Sequence, residues 1–96
     1  MVTIQMVKKA MADPDKVWRD FIDAYEEAQD AAGMMIEYEE TDELLYRSAL
    51  ARYKVADDRI RKIIGDGSGS GLAEMLYIAA DGEAFVKLLK NCIGRM

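Results

Sequence analysis

A chain of 96 residues with no histidine, one cysteine and a net charge of −5 excludes more chemistry than it offers. Without histidine the usual general base, the commonest zinc ligand and the usual pH switch are missing, and Cys92 alone allows no internal disulfide, which suits a reducing cytosol. The acidic balance argues against direct nucleic-acid binding and anionic membranes, while 51% apolar residues are enough for one folded domain.

Met1–Ala12 has no basic start, no long apolar run and no cleavage site, so it does not read as a signal peptide. No stretch approaches the ~18 apolar residues of a membrane span. The expected setting is cytoplasmic. Val2, Ile4 and Met6 alternate as in a strand, whereas Ile4, Val7 and Met11 repeat as in a helix with Thr3 as its cap. Lys8, Lys9 and Ala10 favour a short helix there.

Asp13-Pro14 marks a restart: Asp caps, Pro suits the first helical position, and a residue before proline avoids the α region. A helix is expected over Pro14–Ala32, with Trp18, Phe21, Tyr25, Ala28 and Ala32 as its apolar seam and Gly33 as its C-cap. Met34–Glu40 is expected as a short connector with room for a brief extended segment. Thr41 is a candidate cap for a second long helix reaching Ile64, unless that helix begins a turn earlier. Its seam is Tyr46, Ala49, Tyr53, Ala56, Ile60 and Ile63. Two long helices on a short connector pack antiparallel.

Gly65–Gly71 alternates glycine with Ser and Asp and reads as a linker, native or engineered. After it, Leu72–Ile93 reads as helix. Leu72, Met75, Ala79, Gly82, Val86, Leu89 and Ile93 fit one continuous element, and Asp81-Gly82 also permits a break with Asp81 capping a second helix. The expected fold is all-α: a small antiparallel bundle in one domain, with a hairpin core over 1–64, a linker over 65–71 and a C-terminal helix over 72–96.

Charge is sorted along these elements. Asp20 to Glu43 holds ten carboxylates and no base, whereas Leu44 to Ile64 holds six bases and two acids. An acidic rod beside a basic one gives a field that partners or self-association can use. The expected contacts are Asp20, Asp23, Glu27, Asp30, Glu37 and Glu40, with Arg59, Arg61 and Lys62 as a second, basic surface. This pattern points to a non-catalytic interaction module: a small adaptor, regulator or inhibitor of a protein with a basic surface, itself a homo-oligomer through its broad seams. Small acidic helical phage proteins that block a host's nucleic-acid-binding proteins are the analogy in size and charge.

Three motifs bear on other chemistry. The Gly-rich segment lacks the Lys and hydroxyl of a phosphate loop, because Leu72, Ala73 and Glu74 follow Gly71. Asp66, Ser68, Ser70 and Gly71 resemble the first half of an EF-hand calcium loop, but its twelfth position is Tyr77 rather than a bidentate Glu. Glu27-x-x-Asp30 and Glu40-x-x-Glu43 each place two carboxylates on one helical face. The two pairs together resemble the metal-binding pattern of the MazG-like all-α NTP pyrophosphatases, with Asp30 where that family has Glu and Glu43 where it has Asp. That resemblance implies Mg²⁺ on Glu27, Asp30, Glu40 and Glu43 and hydrolysis of a nucleoside triphosphate; the interaction module implies no cofactor.

Overall fold

The computed structural model describes residues 2–65 and 69–93, and these residues form five helices and no strand. The all-α expectation holds, with two long helices in contact. Helix α1 spans Ile4–Ala12, α2 Pro14–Tyr38, α3 Glu43–Ile64, α4 Gly69–Tyr77 and α5 Gly82–Asn91. Among the described residues no helix is long and apolar enough to cross a membrane.

Helix starts follow local chemistry. Thr3 Oγ1 accepts from the Met6 N–H at 3.2 Å, Asp13 caps α2 ahead of Pro14, and Asp81 Oδ1 accepts from the Ala84 N–H at 2.8 Å. Each cap satisfies an N–H that has no partner inside its own helix. The break at Asp81-Gly82 is therefore the one the chain makes. Gly82 has a second reason to be there, since a Cβ at that position would lie 2.6 Å from the backbone of Pro14 and Asp15. The start of α5 rests directly on the start of α2.

Three boundaries differ from expectation. Helix α2 does not end at Gly33 but runs on to Tyr38. Gly33 is flanked by Ala31, Ala32, Met34 and Met35, good helix formers, and Met35 and Tyr38 continue the packed side of the helix, outweighing the ~1 kcal/mol cost of an interior glycine. The connector shrinks to residues 39–42. Thr41 does not cap α3: its hydroxyl donates to the Glu37 carbonyl at 3.2 Å and closes α2, while Asp42 Oδ1 accepts from the Leu45 N–H at 3.0 Å and opens α3. In the Gly/Ser stretch, Gly69–Gly71 already belong to α4, which burial of Ala73 and Leu76 holds in place despite poor intrinsic propensity. Asp66, Gly67 and Ser68 lie outside the described residues. Gly65, at φ 90°, ends α3 in a region that favours glycine.

Helices α2 and α3 pack along alanines. Ala24, Ala28 and Ala31 on α2 and Ala49 and Ala56 on α3 are buried, and the expected Tyr25 and Ala32 sit half-buried to one side. The bulky core gathers at one end, where Phe21, Ile64, Leu76, Phe85 and Leu89 are fully buried. The Phe21 and Phe85 rings meet at 5.3 Å. The rest of the hairpin projects as an arm from this end of a molecule 43 Å long and 26 Å wide.

Two glycine substitutions separate these roles. No atom lies within 4 Å of a Cβ built on Gly33, so Gly33→Ala is expected to stabilise the protein by about 0.5–1 kcal/mol. Gly82→Ala forces α5 off α2 and is expected to destabilise by about 1–3 kcal/mol. Chemical denaturation of the two variants measures both.

Candidate functional site

Four of the expected contact residues come together on one side of the α2–α3 hairpin. Asp23, Glu27 and Asp30 of α2 and Ala51, Val55 and Arg59 of α3 line an open groove of about 720 Å³. Further down, Asp20 and Lys62 share a small cleft with Lys9 of α1, so the basic end of α3 returns beside the acidic start of α2. Glu37 and Glu40 are exposed at the tip, Glu37 in the last turn of α2 and Glu40 in the link. Arg61 pairs with Asp57 one turn back on its own helix at 3.0 Å. The structure thus brings Asp23, Glu27, Asp30 and Arg59 together, and places Glu37 and Glu40 at the tip and Arg61 and Lys62 near the base.

Arg52 organises this groove. Its Nε donates to Glu27 Oε1 at 2.8 Å, its Nη2 to Asp30 Oδ2 at 2.8 Å, and its Nη1 to Met34 Sδ at 3.0 Å. One guanidinium fork therefore spans from α3 to three side chains of α2, a geometry that a lysine's single ammonium does not reproduce. The hydrogen bond from Arg52 holds the Glu27 carboxyl below its ordinary range, helped by the charges of Arg52 and Arg59 and opposed by desolvation and by Asp30. The guanidinium is in turn stabilised in its charged form by the same two carboxylates.

The remaining acids divide into used and unused. Glu43 pairs with Arg47 on its own helix at 2.7 Å. Glu26 accepts from the Tyr77 hydroxyl at 3.0 Å, and the Tyr77 ring stacks on Tyr25 at 4.5 Å, which ties α4 to the outer edge of α2. That hydrogen bond, with some burial and the charge of Glu26, raises the Tyr77 phenol above its ordinary value. Asp20, Asp23, Glu37 and Glu40 are exposed and make no ion pair among the described residues.

The four carboxylates of the pyrophosphatase-like pattern do not assemble. Because α2 continues to Tyr38, Asp30 and Glu40 are ten residues apart, about 15 Å at the helical rise, rather than folded together across a connector. Arg52 takes the place between Glu27 and Asp30 that a cation would need, and Arg47 holds Glu43. Among the described residues no group of three or more acids, cysteines or histidines is placed to hold a metal ion. The calcium-like pattern fares no better: Asp66 and Ser68 lie outside the described residues, and its second half is helix α4. Tyr77 at its twelfth position is engaged with α2.

Sequence reasoning did not single out Arg52 or the apolar side of the groove. Leu44, Ser48, Ala51 and Val55 are spaced four, three and four residues apart, a second helical stripe on α3, and all four are exposed. Its period is visible in the sequence; that it faces away from the inner seam is what marks it. Comparison with family models, with curated proteins and with solved structures finds no match for the chain.

The acid dependence of stability tests the Arg52 bridge. Glu27 binds its proton less readily folded than unfolded, so the bridge stabilises above the ordinary glutamate range and is lost as pH falls through the lower folded value. Arg52→Met is expected to lower the melting temperature at neutral pH and to flatten its fall between roughly pH 5 and pH 3. Thermal melts across that range compare the two proteins.

Proposed function

We propose that this protein is a non-catalytic interaction module that binds a protein with a basic surface through the acidic flank of α2. The observation that carries the reading is the row of exposed carboxylates without ion-pair partners among the described residues, Asp20 and Asp23 near the base and Glu37 and Glu40 at the tip. Fixed charges on a rigid helix attract an opposite surface over about a Debye length, ~8–10 Å at ordinary salt, and set orientation more than affinity. An adaptor, regulator or inhibitor works this way, and a phage-encoded inhibitor of a host protein is one form of it. The absence of histidine and the single cysteine fit a cytoplasmic role without redox or metal chemistry of its own.

Self-association belongs to the same reading. On the opposite side of the hairpin, Ala32, Met35, Ile36, Tyr46 and Tyr53 line a second open groove, and Ile36 is 79% exposed. Bulky apolar groups beside an alanine seam favour a further helical layer, which a second copy supplies.

Retention of a partner from host-cell lysate on the immobilised protein, at about 0.1 M and about 0.5 M salt, tests the acidic flank. The expected partner is released by salt and bound about tenfold more weakly by Asp20→Lys or Asp23→Lys. Retention that ignores salt and both reversals overturns the reading.

A further inference from the structure

Helix α3 carries two apolar stripes, and the fold uses one. Ala49 and Ala56 are buried against α2, with Tyr46 and Tyr53 half-buried beside them. The second stripe, Leu44, Ala51 and Val55 with the small polar Ser48 between them, points outward, with Leu44 80% and Val55 63% exposed; Ala51 and Val55 line the groove and Leu44 lies beyond it toward the tip. The stripe spans twelve residues, Leu44 to Val55, about 16 Å or three helical turns. Across the groove, α2 presents Asp23, Glu27 and Asp30, and the same alternation of four and three residues carries this side of α2 on past the groove to Met34 and Glu37. Between the rows Arg52 is folded onto Glu27 and Asp30.

Resting on the interaction reading above, we infer that this groove seats one amphipathic helix of a partner protein, about three turns long, with its apolar stripe on Leu44, Ala51 and Val55 and lysines or arginines along the flank that faces α2. The pattern is that of a third strand added to a two-helix coil: apolar positions meet the stripe, and flanking charges select the partner and its orientation. Bases on the incoming flank meet Asp23, the open side of Asp30 and Glu37. Arg59, at the lower end of the groove, favours an acidic residue on whichever terminal turn of the incoming helix lies nearest the base.

A second copy of this chain fits the seat poorly. Stacked antiparallel on this face, two hairpins place stripe on stripe but also acid row on acid row. Stacked with both tips in one direction, each apolar stripe meets the other copy's carboxylates. Like charges or buried acids result in either arrangement. A foreign helix with one basic flank satisfies both rows at once.

Two synthetic peptides of about 18 residues and identical Leu, Ala and Lys content test the seat. One has leucines spaced four and three apart with lysines along one flank; the other has the same residues permuted so that no stripe forms. Anisotropy titrations with the full chain are expected to show the striped peptide binding at least about tenfold more tightly than the permuted one. Val55→Asp is expected to weaken the striped peptide about tenfold and to leave the melting temperature unchanged, because Val55 touches solvent. Leu44→Asp, at the other end of the stripe, provides the same readout from a second exposed position. Equal affinity for both peptides that is still weakened by Asp23→Lys overturns the seat and leaves the acidic-flank reading standing. Tight binding of the striped peptide that neither Val55→Asp nor Leu44→Asp changes also overturns the seat. Indifference of both peptides to Asp23→Lys and to salt overturns the acidic-flank reading.

Discussion

The closeness of α2 and α3 sets where every other group in the molecule meets. Ala24, Ala28, Ala31, Ala49 and Ala56 bury no long side chains between the helices, so the backbones approach and the seam alone gives little apolar burial. Two consequences follow. The deep core has to form elsewhere, and it does so where α1, α4 and α5 close over Phe21 and Ile64. The larger side chains of the arm, Ile36, Leu44, Val55 and the half-buried tyrosines of α3, are displaced to its two flanks, where Ile36, Leu44 and Val55 stay exposed.

Arg52 shows how that spacing turns into electrostatics. A guanidinium on α3 reaches two carboxylates and a thioether on α2 because the helices lie near each other and in one register. The ion pairs are all at least partly open to water, and exposed pairs add little to stability on their own. What the bridge supplies is order: it settles the orientation of Glu27 and Asp30, and it removes Glu27 from the set of acids with nothing to do. On the acidic side of α2, Asp20, Asp23 and the acids of the tip are left without ion pairs among the described residues.

Much of the fold is legible in the sequence because its punctuation is local. Thr3, Asp13-Pro14 and Asp81 each act on N–H groups within the next turn, and the helices begin where those residues say. The end of α2 was not legible, since Gly33 looks like a stop until the packing of Met35 and Tyr38 is known. That one boundary controls the site. A hairpin turning at the middle of Met34–Glu40 would put Glu27 near Tyr46 and Arg47; turning at Glu40 and Thr41, it puts Glu27 and Asp30 beside Arg52. The acidic row itself needs only helical period and could be read directly. Its partner across the groove depends on register between helices, which no short stretch of sequence encodes.

The contact between the first residues of α5 and α2 ties together parts of the chain made at very different times. During synthesis the arm is complete once Ile64 has emerged, because its seam and its Arg52 bridge lie within the first two thirds of the sequence. Phe21 and Ile64 must then wait, uncovered, for Leu76, Phe85 and Leu89 to be translated before their end of the molecule is sealed. A nascent chain arrested in that interval carries its hairpin on an uncovered apolar base, so a ribosome stall after Ile64 is an aggregation hazard.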